Sequence, residues 1–491
     1  MSLINISNLT FCYDGSFENV FENVSFQIDT DWKLGFTGRN GRGKTTFLKL
    51  LTGKYPYKGT ISSSVEFDYF PFEVDQTEDT QNVVQQVCVD YEPWQLEREL
   101  SLLEVDDEVL DRPFHTLSNG ERTKVLLAAL FLKRNNFLLI DEPTNHLDMN
   151  ARKVVGSYLK RKKGFILVSH DRAFLDQCID HILSINRTDI EVQKGNFSSW
   201  QHNKDLKDGF EMAQNEKLKK EINRMSEAAK QASGWSDKVE KTKFGTTNSG
   251  SKPDRGYVGH KAAKMMKRSK SIETRRQRAL MEKADLLKNV ETSVDLCIRP
   301  LQYHASRLAE IKGLSISYVG RTVCENVDLV VNSKDRIALL GKNGCGKSSI
   351  LKLMAGEDIC FSGHLAVGSN LKISYIPQDT SFLRGNLSDF ARENNIDESI
   401  FKSTLRNLDF SRSQFEKDMS EFSSGQKKKV LIAKSLCERA HLYIWDEPLN
   451  FVDVLSRIQL EKLILSYQPS MLFVEHDASF VTSVATKVVQ M

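Results

Sequence analysis

At 491 residues the chain exceeds what a single hydrophobic core supports, so two or more domains are expected. Apolar content of 40% and charged content of 27% are ordinary for a globular protein. The longest unbroken apolar run, Val125 to Leu132, is far below the roughly 20 residues that cross a bilayer, so no transmembrane segment is expected. The net charge of +3 hides an uneven distribution: Lys204 to Lys288 holds 22 Lys/Arg against 12 Asp/Glu, leaving the rest mildly acidic. A cationic segment in an otherwise mildly acidic chain points toward a polyanionic partner. The start of the chain shows no targeting pattern, and a cytoplasmic location is the expectation. The eight cysteines have no paired spacing, so free thiols are expected and a zinc site is not.

In chain order, the first feature is a strand pair opening at Leu3 to Tyr13, which returns at Leu308 to Tyr318. A glycine-rich loop follows at Gly38 and again at Gly341, 303 residues later. Asp141 and Asp446 end apolar strands 305 apart, and His170 and His476 follow strands 306 apart. A nearly constant offset is the mark of a duplicated domain. Each copy alternates strands (Phe137 to Ile140, Phe165 to Val168) with helices (Thr123 to Leu132), which reads as an α/β domain on a largely parallel sheet. Between the copies the period changes. Leu218, Ile222, Met225, Ala229 and Ala232 form one coiled-coil stripe, and Met265, Ile272, Ala279 and Leu286 another. The turn formers of Lys243 to Gly259 break the pattern, which predicts an antiparallel helical hairpin with a tip there. The domains are therefore expected at 1–200 and 299–491, with the hairpin linker at 201–298.

The chemistry begins with two loops that satisfy G-x-x-x-x-G-K-[ST]. In the first, Gly38, Asn40, Gly41, Gly43, Lys44, Thr45 and Thr46 are the expected nucleotide-binding residues. Gly341, Asn343, Gly344, Gly346, Lys347, Ser348 and Ser349 are their counterparts in the second. Glycines let backbone N–H groups wrap phosphates, lysine reaches the terminal phosphates, and the hydroxyl of Thr45 or Ser348 ligates magnesium. Asp141 and Asp446 follow as magnesium carboxylates, and Glu142 and Glu447 as the groups that orient or deprotonate the attacking water. Tyr13 and Tyr318 are placed either to stack on adenine or to pack in the core.

Leu117-Ser118-Asn119-Gly120-Glu121 and Phe422-Ser423-Ser424-Gly425-Gln426 resemble the signature of ABC-type ATPases, and His170 and His476 resemble their switch histidine. That resemblance implies two domains closed head to tail, with one ATP between Lys44 and the pair Ser423 and Gly425. The other would lie between Lys347 and the pair Ser118 and Gly120. It also implies a magnesium-contacting glutamine, which Gln378 supplies in the second copy. Phe72 stands at the matching place in the first and cannot bind a metal, so two inequivalent sites are expected.

Two fused domains with a long charged hairpin resemble the ABC-F family, whose members act on the ribosome. The Tyr-Phe-Pro-Phe72 segment, the Trp-Asp-Glu-Pro-Leu-Asn run and the stretch from His260 to Arg268 look most like the Lsa-type antibiotic resistance proteins. The resemblance implies a monomer with a pseudo-dimeric ATPase core that binds the exit site of the 70S ribosome. Its linker would reach the P-site tRNA and 23S rRNA and protect against lincosamides, pleuromutilins and streptogramin A compounds. Lys243, Lys261, Lys264, Lys267 and Arg268 would neutralise RNA phosphates, and Trp235, Phe244 and Tyr257 would stack on bases. A housekeeping translation factor and an exporter's ATPase subunit are the competing readings.

Overall fold

The computed structural model describes residues 2–15, 19–133, 135–145, 147–186, 189–214, 296–318 and 321–491, with scattered positions between 216 and 278. The chain divides into two compact units, Met1–Ser198 with Ser293–Met491, and Ser199–Thr292.

The first unit contains both copies of the repeat. In the first copy, a parallel core of four strands, Glu66–Phe70, Asn136–Asp141, Phe165–Val168 and Lys33–Thr37, runs on into His181–Asn186. Asp189–Lys194 closes that sheet antiparallel. The second copy repeats the order with Ile373–Ile376, Leu442–Asp446, Met471–Val474, Arg336–Leu340 and Lys487–Gln490, all parallel. The central strands are apolar because both faces are covered; Phe165 to Val168 and Met471 to Val474 are buried at every position.

A three-stranded antiparallel sheet covers one face in each copy, centred on Leu3–Phe11 in the first and Arg307–Tyr318 in the second. The first opening strand thus ends two residues before Tyr13. Between the two sheets of the first copy lies the helix Lys44–Leu51. Its Phe47 is fully buried among Phe21, Phe26 and Phe36, a burial that contributes about 2 kcal/mol. This packing anchors the glycine-rich loop that precedes the helix.

One sequence boundary needs correcting. The helix expected from Thr123 begins at Asn119, because Ser118 caps it: Ser118 Oγ accepts from Glu121 N, and the Glu121 carboxylate accepts from Ser118 N. The second copy repeats this with Ser423 and Gln426 at the head of Ser424–Cys437.

In the second unit, residues 199–214 are helical, and Lys264, Lys267 and Arg268 are exposed helical positions. Trp235, Lys243, Phe244, Tyr257 and Lys261 lie outside the described residues, as do both coiled-coil stripes.

Candidate active sites

Both glycine-rich loops turn through left-handed backbone. Gly43 has φ +95, and a Cβ there would meet Val20 Cγ1 at 2.5 Å, so no side chain fits. The loop lysines are buried and bonded to their own loops. Lys44 Nζ donates to Gly38 O at 2.7 Å and Arg39 O at 3.2 Å, and Lys347 Nζ to Gly341 O at 2.9 Å and Lys342 O at 2.8 Å. Burial lowers the Lys44 ammonium below its usual range, against the pull of Asp453 and Glu142.

The hydroxyl after each lysine meets the strand-end carboxylate. Thr45 Oγ1 donates to Asp141 Oδ2 at 2.9 Å, and Ser348 Oγ to Asp446 Oδ1 at 3.1 Å. Burial raises both carboxyls, Asp446 to about 6, with the hydroxyl hydrogen bonds opposing. One carboxylate and one hydroxyl per site is the sparse, hard-oxygen set that magnesium uses when phosphates complete its shell. The buried Asp446 Oδ2, without a hydrogen-bond partner, fits that reading.

The next residue in each copy is strained. Glu142 has φ 53 and Glu447 φ 47, a left-handed conformation rare for glutamate and concentrated at functional sites. Each sits 3.3 Å from its histidine, measured from Nε2 of His170 or His476 to Oε1. Beyond that the sites diverge. Glu447 Oε2 accepts from Gln378 Nε2 at 2.9 Å and from Asn450 Nδ2 at 2.6 Å. Glu142 Oε1 is buried and, unlike Glu447 Oε1, makes no hydrogen bond to its histidine despite the same distance, and Phe72 packs near Phe70 at 6.5 Å between ring centroids. Burial and the Asp141 charge raise the Glu142 carboxyl to about 8. Burial also pushes Glu447 up, but the bond and charge of His476 and the bond from Gln378 outweigh it and hold it below its usual range. His170 is lowered well below its usual value by burial and by the charges of Lys44 and Arg457.

The two copies face each other head to tail. A cavity of about 750 Å³ is lined by Ser118 and Gly120 of the first copy and by Lys347, Ser348, Gln378 and Glu447 of the second. At the other site, Asn40 Nδ2 donates across to Phe451 O at 2.8 Å. A Cβ on Gly425 would lie 2.4 Å from that carbonyl and 3.3 Å from Asn40 Nδ2, so the approach requires glycine. Ser118 and Ser423 accept cap bonds, which leaves each hydroxyl proton able to donate to a phosphate.

Tyr13 and Tyr318 are neither buried nor loose: the residues are 43% and 44% exposed, and their hydroxyls meet Thr46 Oγ1 and Ser349 Oγ beside the loops. The Tyr13 ring also meets Phe11 and Tyr55 edge to face, at 5.0 and 5.9 Å between centroids. Several residues that shape the sites carry no sequence motif of their own. Arg152 Nη1 donates to Asp171 Oδ2 at 3.0 Å and reaches His476 O of the other copy at 3.3 Å. Tyr69 donates to Asp141 Oδ2 at 2.9 Å.

The ABC transporter family model matches residues 21–145 and 324–450, the two segments that carry these loops and carboxylates. The chain belongs to that family. It is an ATP-binding ATPase with two such domains, and among the described residues no helix is long and apolar enough to cross a membrane. It is 26% identical to the ATP-binding protein Uup of Buchnera aphidicola subsp. Acyrthosiphon pisum over 99% of this chain and 80% of that protein. It is 27% identical to the ribosome protection protein VmlR of Bacillus subtilis over 97% of this chain and 84% of that protein. Among solved structures it is similar to the archaeal ribosome recycling factor aABCE1 in complex with stalk protein aP1, at a TM-score of 0.63 and 18% identity. That match covers 98% of this chain and 87% of the other and speaks to the fold.

Proposed function

We propose that the chain is an ABC-F ATPase that binds the 70S ribosome at the exit site and protects it from lincosamides, pleuromutilins and streptogramin A compounds. The observation that carries this reading is the head-to-tail cavity joining Ser118 and Gly120 to Lys347 and Glu447, in a chain whose middle segment is strongly basic. ATP bound between a loop of one copy and the signature of the other would hold the pair closed, and hydrolysis would release it. The likeness to a ribosome protection protein over 97% of the chain supports the target. The basic segment from Lys261 to Arg278 supplies the charge for rRNA and P-site tRNA.

In the second site Glu447 accepts a proton from the attacking water while Gln378 and Asn450 hold its carboxylate, and His476 sits on the other oxygen. Ser348, Asp446 and Gln378 would hold magnesium there, and Thr45 and Asp141 in the first site. The ion neutralises charge on the phosphates when bound.

Expression in a drug-sensitive bacterium tests the function. The inhibitory concentration of a lincosamide is expected to rise severalfold with the unsubstituted chain and not with Glu142→Gln/Glu447→Gln. No rise for any peptidyl-transferase drug, with retained co-sedimentation of the ATP-trapped double variant on ribosomes, would leave a housekeeping translation factor. Failure to co-sediment, with binding to membranes, would favour an exporter subunit.

A further inference from the structure

The first site lacks the glutamine that the second uses, yet its strand-end carboxylate is the better held of the two. Asp141 Oδ2 accepts from Thr45 Oγ1 and from the Tyr69 hydroxyl, both at 2.9 Å. Tyr69 is three residues before Phe72, and its counterpart Tyr375 is three before Gln378. The counterpart behaves differently. The Tyr375 hydroxyl is buried without a hydrogen-bond partner, and so is Asp446 Oδ2. The same residue type at the same sheet position therefore bonds the carboxylate only where glutamine is missing. Both tyrosines lie on strands paired in parallel with the carboxylate strand, Tyr69 opposite Leu139 and Tyr375 opposite Ile444, so the backbone permits the contact in either copy.

We propose that Tyr69 is a positioning residue for the metal of the first ATP site, fixing the Asp141 carboxylate and so compensating for Phe72. This rests on the ATP-site reading of the loops and is independent of the ribosomal target. A hydroxyl donating to a metal-binding carboxylate restricts its rotation and keeps its free lone pairs aimed at the ion. Loss of such an outer-shell partner typically weakens metal binding by about 10-fold to 100-fold.

The test uses the full chain with Glu142→Gln and Glu447→Gln to block turnover, saturating ATP, and Mn2+ as the probe, counted by electron paramagnetic resonance. Two bound Mn2+ per chain are expected. Adding Tyr69→Phe is expected to weaken one of them about 10-fold while Tyr375→Phe changes neither. Adding Phe72→Gln to Tyr69→Phe is expected to restore the weakened one, which a merely structural role for Tyr69 would not produce. Two tight Mn2+ ions that ignore Tyr69→Phe, or an equal loss from Tyr375→Phe, overturn the proposal alone. No ATP-dependent Mn2+ binding by the parent chain overturns the ATP-site reading and the proposal with it.

Discussion

The two halves share a fold and an order of motifs, but they hold the same glutamate in opposite conditions. Glu447 is ringed by Gln378, Asn450 and His476 and titrates below its usual range. Among the described residues, Glu142 Oε1 is buried and lies 3.3 Å from His170 Nε2 without making a hydrogen bond, and the carboxyl is pushed to about 8. Duplication copied the strand that delivers each carboxylate; what differs is the set of neighbours that ionise and aim it. Burial acts on both, so hydrogen-bond donors decide the outcome. On this contrast the second site is expected to turn over faster than the first.

The contrast extends to the helical lobes. In the first half Glu99, only 1% exposed, is bonded by Lys162, Tyr158 and Arg98. The matching position in the second half is Thr404, which donates to Ile400 O at 2.9 Å and contacts Cys437. Glu99→Ala leaves a largely buried ammonium unpaired and is expected to destabilise the first half by about 3 kcal/mol. Thr404→Ala is expected to cost about 1 kcal/mol or less. Denaturant unfolding of the two variants measures this, and equal losses would erase the distinction between the lobes.

Swapping the divergent residue sharpens the comparison at the sites. Gln378→Phe gives the second site the first site's residue and is expected to lower steady-state ATPase about 10-fold. Asn450→Ala removes one donor from Glu447 while Gln378 and His476 remain. A loss of about fivefold is expected, corresponding to about 1 kcal/mol for one hydrogen bond. An unchanged rate in either variant would mean that these bonds do not prepare Glu447 for catalysis.

Much of this was legible in the residues, for a physical reason. The loops, the strand-end carboxylates and the histidines are local patterns, since glycine at φ +95 or an apolar strand ending in Asp141 is written in consecutive positions. Phe72 opposite Gln378 was legible too, because the flanking Tyr and Pro align the copies. Tyr69 on Asp141 and Arg152 on His476 O were not. They join positions 72 and 324 residues apart, and their side chains could have turned elsewhere, as Tyr375 does. The start of the signature helix was misplaced because the cap is a serine inside a polar run, where apolar periodicity gives no signal. The linker tip, with Trp235, Phe244 and Tyr257, lies outside the described residues.

The most direct test of the inequality is ATP turnover by Glu142→Gln and Glu447→Gln measured side by side on the full chain. Removing a general base costs about 100-fold or more where that base carries the reaction. Glu447→Gln is expected to show that loss and Glu142→Gln only a severalfold one. Equal residual rates, or a larger loss from Glu142→Gln, would contradict the account.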